Sequence, residues 1–184
     1  QIFEQLLDNI NCVVAGPGLG NDADEFLDLI WNSRVPLILD ADGLRWLADR
    51  KPEKRSSFFI GTPHPGEAKT LLNRNISDRF EALEDLQTLY GGQWILKGAG
   101  TLVGPKPTYV NPFSNSILST AGSGDVLAGI IGGLIASQEK KPALLGVWLH
   151  SEAARLLLKK GEKRILASEL ISVLGKAFNK LEEC

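Results

Sequence analysis

Short apolar runs alternate with longer amphipathic stretches along this chain. "CVVA" (12–15), "PLILD" (36–40), "SFFIG" (57–61), "WILKG" (94–98) and "PTYV" (107–110) predict strands, most of them flanked by Gly, Pro or Asp. Several are apolar at every position, the pattern of strands covered on both faces. Between them lie helical stretches. "NDADEFLDLIWNS" offers Asn21 as a cap, acidic residues in its first turn, and Ala23, Phe26, Leu27 and Ile30 on one face. "SDRFEALEDLQTLYGG" predicts a helix from Ser77 that stops at Gly91, and 142–183 predicts two helices broken around Gly161 to Ala167. The opening "QIFEQLLDNI" has the pattern of part of an amphipathic helix. Strand and helix in alternation predict an α/β fold, a mostly parallel sheet with helices on both faces. Ligands of such sheets bind outside the carboxyl ends of the strands, so the polar residues just after each strand are the ones to question.

Composition narrows the classes. The apolar stretch from Val126 to Ala136 is shorter than the ~20 residues that span a bilayer, so no membrane partner is expected. Lys and Arg number 20 against 22 Asp and Glu, with no long basic block, so no nucleic-acid partner is expected either. Cys12 and Cys184 form neither a metal motif nor a disulfide framework. Cys12, in an apolar run, reads as a buried small hydrophobe, which fits a reducing, cytoplasmic setting. The 184 residues contain no Met, a hint that the sequence starts inside something larger.

Five loops after strands carry candidate chemistry. "AGPGLGND" includes Gly18 and Gly20, and reads equally as a backbone cradle for a ligand or as a tight strand-to-helix turn. It is not a dinucleotide fingerprint, because the glycine spacing is wrong. "LILDADGL" ends a strand with Asp40 and Asp42, suited to a magnesium-water shell, to a substrate hydroxyl, or to capping a helix that starts near Gly43. "GTPHPGEA" clamps His64 between two prolines, three residues before Glu67, and aims an imidazole from a stiff loop. His150, inside a predicted helix, reads as a packing residue. "WILKGAGTLVG" places Lys97 at a strand end as a phosphate partner, with loop amides beside it, or else forms a plain hairpin turn.

The fifth loop opens the most apolar helix. Gly122, Ser123 and Gly124 precede "DVLAGIIGGLIA", so their amides and the first helical N–H groups can form an anion site. Asp125 beside that site fits a general base for a hydroxyl while the helix end stabilises a transferring phosphoryl group. A dipole-compensating carboxylate, worth ~0.3–1 kcal/mol, is the plainer reading.

"GPGLG", "LILDADGL", "TPHPGEA", "LKGAGTLV" and "NPFSNSILSTAGSGDVLAGIIGGLIA", in this order, resemble the ADP- or ATP-dependent NAD(P)H-hydrate dehydratases of the ribokinase-like superfamily. The resemblance implies a three-layer ribokinase-like sandwich over 1–184, corresponding to the C-terminal part of the family's domain. It implies phosphorylation of the hydroxyl of the S-epimer of NADH or NADPH hydrate, then loss of phosphate. Asp125 would be the base and touch the hydrate. Gly122, Ser123 and Gly124 would form the anion hole. Lys97, Gly98, Ala99, Gly100, Thr101, Asn115 and Gly124 would hold ADP or ATP, with Mg2+ bridging its phosphates. Gly18, Gly20, His64 and Glu67 would line the hydrate pocket, and homotetramers would be the expected assembly. Two departures stand out: Ser114 where the family has glycine, and Ser116 and Ile117 where it has Pro-Gly, beside the nucleotide. The family's domain also begins well before "GPGLG". Two other readings stay open: a kinase of another small alcohol on the same fold, and a non-catalytic nucleotide-binding remnant.

Overall fold

The computed structural model describes residues 6, 7 and 9–181. The helix expected over 1–10 therefore lies largely outside the described residues, as does the end of the last expected helix. Six strands form one sheet in the order β1 (Val13–Ala15), β2 (Leu37–Leu39), β3 (Phe59–Gly61), β4 (Gln93–Leu96), β5 (Thr101–Gly104), β6 (Tyr109–Asn111). The first four run parallel, while β5 is antiparallel to both of its neighbours. The expected mostly parallel sheet is therefore present.

Order along the sheet equals order along the chain, and this decides where the helices go. Successive right-handed crossovers that step in one direction lay their helices on one face. These helices are α1 (Asp24–Asn32), α2 (Ala41–Arg50), α3 (Pro65–Leu72) and α4 (Arg79–Tyr90). They pack on Leu37, Leu39, Phe59, Trp94, Leu96 and Leu102. At the centre, the Phe59 ring meets Trp31 at 5.0 Å and Trp94 at 5.7 Å between centroids. The alternate strand residues Ile38, Ile60, Ile95 and Val103 turn to the opposite face. There they meet α5 (Ser123–Ala136) and α6 (Pro142–Lys159), with α7 (Ala167–Asn179) outside. Every central strand is thus buried on both sides, which is why its sequence shows no polar alternation.

Helix α5 is apolar nearly all round because most of its length is covered, and Gly129 and Gly133 occupy exposed positions. Leu127, Ala128 and Ile131 face the sheet, while Leu134 packs against Leu149 of α6 and Ala177 of α7. Among the described residues no helix is long and apolar enough to cross a membrane.

Two helix starts differ from expectation. α1 begins at Asp24 with Ala23 at its cap position, and Asn21 instead accepts a hydrogen bond from Arg45. α4 is capped by Asp78, whose Oδ1 accepts from the amides of Phe80 and Glu81, rather than by Ser77. In both cases the helix starts beyond the expected cap residue; a side chain caps α4 there, and none caps α1.

Candidate functional site

Parallel strands deliver their carboxyl ends to one edge of the sheet, so the loops after β1, β2, β3 and β4 converge. The first crosses the second at close range. Gly16 has φ +124°, and a Cβ there would stand 1.7 Å from the Asp40 carbonyl oxygen. Only a residue without a side chain fits that crossing.

Asp40 occupies the cap position of α2 but makes no side-chain cap hydrogen bond. Its Oδ1 instead accepts from Lys97 Nζ at 2.7 Å, reaching from the end of β2 to the end of β4. Asp40 has 2% of its side chain exposed and Lys97 20%; Glu67 Oε2 stands 3.9 Å from the same ammonium. The lysine is therefore held by one carboxylate and faced by another. A Cβ on Gly124 would lie 3.3 Å from Lys97 Nζ and 3.4 Å from Asp40 Oδ2, so the start of α5 sits directly against this pair.

The α5 terminus is open. Gly122 adopts the left-handed region at φ +81° and no side chain caps the first turn. Uncapped N–H groups and the positive end of the helix dipole together favour an anion. Asp125 lies exposed in that first turn. Ser123 is buried, its Oγ 3.1 Å from His150 Nε2. Burial pushes the His150 imidazole down to about 4; the Ser123 backbone partly offsets this, and the charge of Lys97 adds to it. His150 is thus neutral at physiological pH. Sequence reasoning placed it in packing alone. No local pattern ties it to Ser123, which lies 27 residues earlier.

Two cavities meet at His64. The larger, about 800 Å³, is bounded by the 97–101 turn, the 113–121 loop, Ser123 and Gly124 of α5, and Val147, His150 and Ser151 of α6. Lys97, Gly98, Ala99, Thr101, Asn115, Ser123 and Gly124 all line it, while Gly100 does not. Asn115 Oδ1 accepts from the Ile117 amide and so starts the short 3-10 turn Ser116–Leu118. Ser114 and Ser116 face the cavity, but Ile117 is buried against Leu157 and Ile165. The smaller cavity, about 360 Å³, lies between α2 and α3 and is lined by Asp42, Arg45 and Glu67 among others. Gly20 is tied to it, its amide donating to Asp42 Oδ2 at 2.9 Å, whereas Gly18 lies exposed outside both. Asp125 lines neither cavity.

His64 has a local task as well. Its Nδ1 accepts from the amides of Gly66 and Glu67, and Glu67 Oε2 accepts from the His64 amide at 2.6 Å. This reciprocal cap starts α3 and leaves the proton of the neutral ring on Nε2. Among the described residues no group of three or more His, Cys, Asp or Glu side chains is arranged to hold a metal ion.

The doubly covered sheet with a glycine-opened helix terminus at its carboxyl edge is the ribokinase-like arrangement. A ribokinase-like superfamily protein from Enterococcus faecalis superposes with TM-score 0.87 at 23% identity, over 97% of this chain and 66% of that one. The model of the NAD(P)H-hydrate dehydratase family matches residues 1–176, and the chain belongs to that family. A relative from Coxiella burnetii, a bifunctional NAD(P)H-hydrate repair enzyme, is 43% identical over 96% of this chain. The chain spans 38% of that relative's length. A crystal structure of the ADP/ATP-dependent NAD(P)H-hydrate dehydratase from Bacillus subtilis was co-crystallised with ATP and Mg2+ and soaked with CoA. It superposes with TM-score 0.83 at 29% identity, covering 92% of this chain and 66% of that one.

Proposed function

We propose that this chain carries out the nucleotide-dependent dehydration of the S-epimer of NADH or NADPH hydrate, a repair of damaged nicotinamide nucleotide. One observation supports this above others. The open terminus of α5, with Asp125 in its first turn, stands against the Lys97–Asp40 pair at the rim of a cavity large enough for a nucleotide.

In this reading ADP or ATP occupies the larger cavity. Phe113, Leu118 and Val147 offer apolar wall to the base, and Lys97 with the 97–101 turn meets the phosphates. The hydrate lies toward His64, Glu67 and the smaller cavity, with its hydroxyl near Asp125. Asp125 takes the hydroxyl proton as the oxygen attacks the terminal phosphorus and the shortened nucleotide leaves. The amides of Gly122, Ser123 and Gly124 stabilise the transferring group without reorganising. The phosphorylated carbon then loses phosphate: its C–O bond breaks, a neighbouring ring carbon gives up a proton, and the ring double bond returns.

Among the described residues no all-carboxylate cage is presented for magnesium, since Asp40 Oδ1 is engaged by Lys97 and Asp42 by Gly20 and Arg45. The residues fit an ion that arrives on the nucleotide phosphates and keeps most of its water. Bound there, it would neutralise phosphate charge.

Recovery of dihydronicotinamide absorbance from NADPH hydrate, with ADP or ATP and magnesium, tests the reading in the full-length protein. Asp125→Asn should lower turnover by about 100-fold or more while nucleotide binding persists. A stable phosphorylated product of another alcohol, without recovered absorbance, would replace this reading with an alcohol kinase. Nucleotide binding with no turnover of any alcohol would leave a non-catalytic nucleotide binder.

A further inference from the structure

Arg79 is the first residue of α4, a poor place for a cation. The helix dipole is positive at that end, and Arg79 is half-buried, which lowers its guanidinium pKa by loss of water. Among the described residues it has no carboxylate partner, and its buried Nε has no hydrogen bond. All of its hydrogen bonds go instead to one short piece of backbone. Nη1 donates to the Ala99 carbonyl at 2.7 Å, and Nη2 donates to the carbonyls of Leu96 at 3.0 Å and Lys97 at 3.4 Å.

The consequence lies on the other side of the peptide planes. In a trans peptide the carbonyl of one residue and the amide of the next point in opposite directions. Capturing the Lys97 and Ala99 carbonyls toward α4 therefore turns the amides of Gly98 and Gly100 away from it. Gly98 at φ +137° and Gly100 at φ +66° allow this alternation, which a side chain at either position would resist. Of the two, Gly98 lines the larger cavity and Gly100 does not, so the Gly98 amide is the one that can meet an anion there. The turn that carries them leads from β4 to β5 and, through Lys97, Gly98, Ala99 and Thr101, forms a wall of the larger cavity.

We infer that Arg79 is a positioning residue for nucleotide phosphate: from behind the turn, it fixes the Gly98 amide in the orientation that receives the phosphate chain. This rests on the nucleotide reading of the larger cavity. It explains why a desolvated cation without a counter-charge is held at the wrong end of a helix. Its charge has a second use, since it adds to the attraction for an anion across the turn.

The test is calorimetric binding of MgADP and MgATP to the full-length protein, its Arg79→Ala and Arg79→Lys variants, with melting of each unliganded protein alongside. Loss of the fork should weaken nucleotide about tenfold or more in Arg79→Ala. Arg79→Lys, able to reach fewer carbonyls, should fall between the two. The KM for hydrate should stay within about twofold, because hydrate contacts other loops, while the KM for nucleotide rises with the dissociation constant. Wild-type affinity in Arg79→Ala, or in Arg79→Lys if the alanine variant does not fold, would overturn the assignment. An equal rise in both KM values would overturn it too, since that marks general loosening. Failure of the wild-type protein to bind either nucleotide would refute the nucleotide reading itself, and this inference with it.

Discussion

Lowering the pH should reveal the buried imidazole that packs against Ser123 at the open start of α5. His150 is 8% exposed, and its folded-state value lies near 4 against an ordinary 6.5. As pH falls below 6.5 the unfolded chain takes up a proton on His150, but the folded protein does not until about 4. The unfolded state then binds more protons, so stability falls with pH across this window and levels off below it. Each tenfold weakening of proton affinity on folding costs about 1.4 kcal/mol at low pH, so the full loss is on the order of 3 kcal/mol. About 2 kcal/mol of it should have gone by roughly pH 5. Urea denaturation at about pH 7.5, 6.5, 5.5 and 5.0 reads the slope directly, and His150→Gln removes the titrating group while keeping a hydrogen-bonding side chain for Ser123. Carboxylates contribute alike to both proteins, so the difference between the two slopes isolates the imidazole. The variant should start less stable and lose less. Parallel slopes in wild type and variant would refute the claim that His150 is neutral and desolvated against Ser123.

Two further outcomes follow from the loops at the sheet edge. Asp40→Asn should cost about 2–4 kcal/mol, less than a fully enclosed ion pair because Lys97 retains some water, and Lys97→Gln in the same protein should recover part of it; urea midpoints of the two single variants and the double variant measure this, and simple additivity would show that the pair is not coupled. Gly16→Ala should cost at least about 3 kcal/mol or prevent folding, since its Cβ has nowhere to go beside the Asp40 carbonyl, whereas Gly18→Ala at φ +66° meets open space and should cost only about 1 kcal/mol. Melting temperatures compare the two glycines, and equal losses would refute the close-approach argument.

Much of the architecture was legible along the chain because burial on both faces leaves a one-dimensional trace. Leu37 to Leu39 and Trp94 to Leu96 are apolar at every position since consecutive residues enter different cores, and only a doubly covered strand asks for that. The open helix terminus was legible for a related reason: Gly122 to Gly124 before an apolar helix is a local signal, and a helix terminus is a local structure. Sequence and structure part where a polar side chain chooses among partners. Asn21 had the composition of a cap, yet bonds Arg45 from another helix. Asp40 likewise had the position of a cap, yet bonds a lysine 57 residues away.

The sequence by itself determined which residues become strands, which glycines open the loops, and that the polar loops after the strands collect at one edge of the sheet. These follow from periodicity and backbone freedom, which neighbouring residues settle between themselves. Only the tertiary structure decided that Lys97 is steadied by Asp40, that His150 is a neutral partner of Ser123 rather than plain packing, and that Arg79 reaches around the 97–101 turn. Each of these contacts joins elements that are remote in the chain. Their strength comes from the loss of water when the elements close together, and no stretch of sequence records that burial on its own.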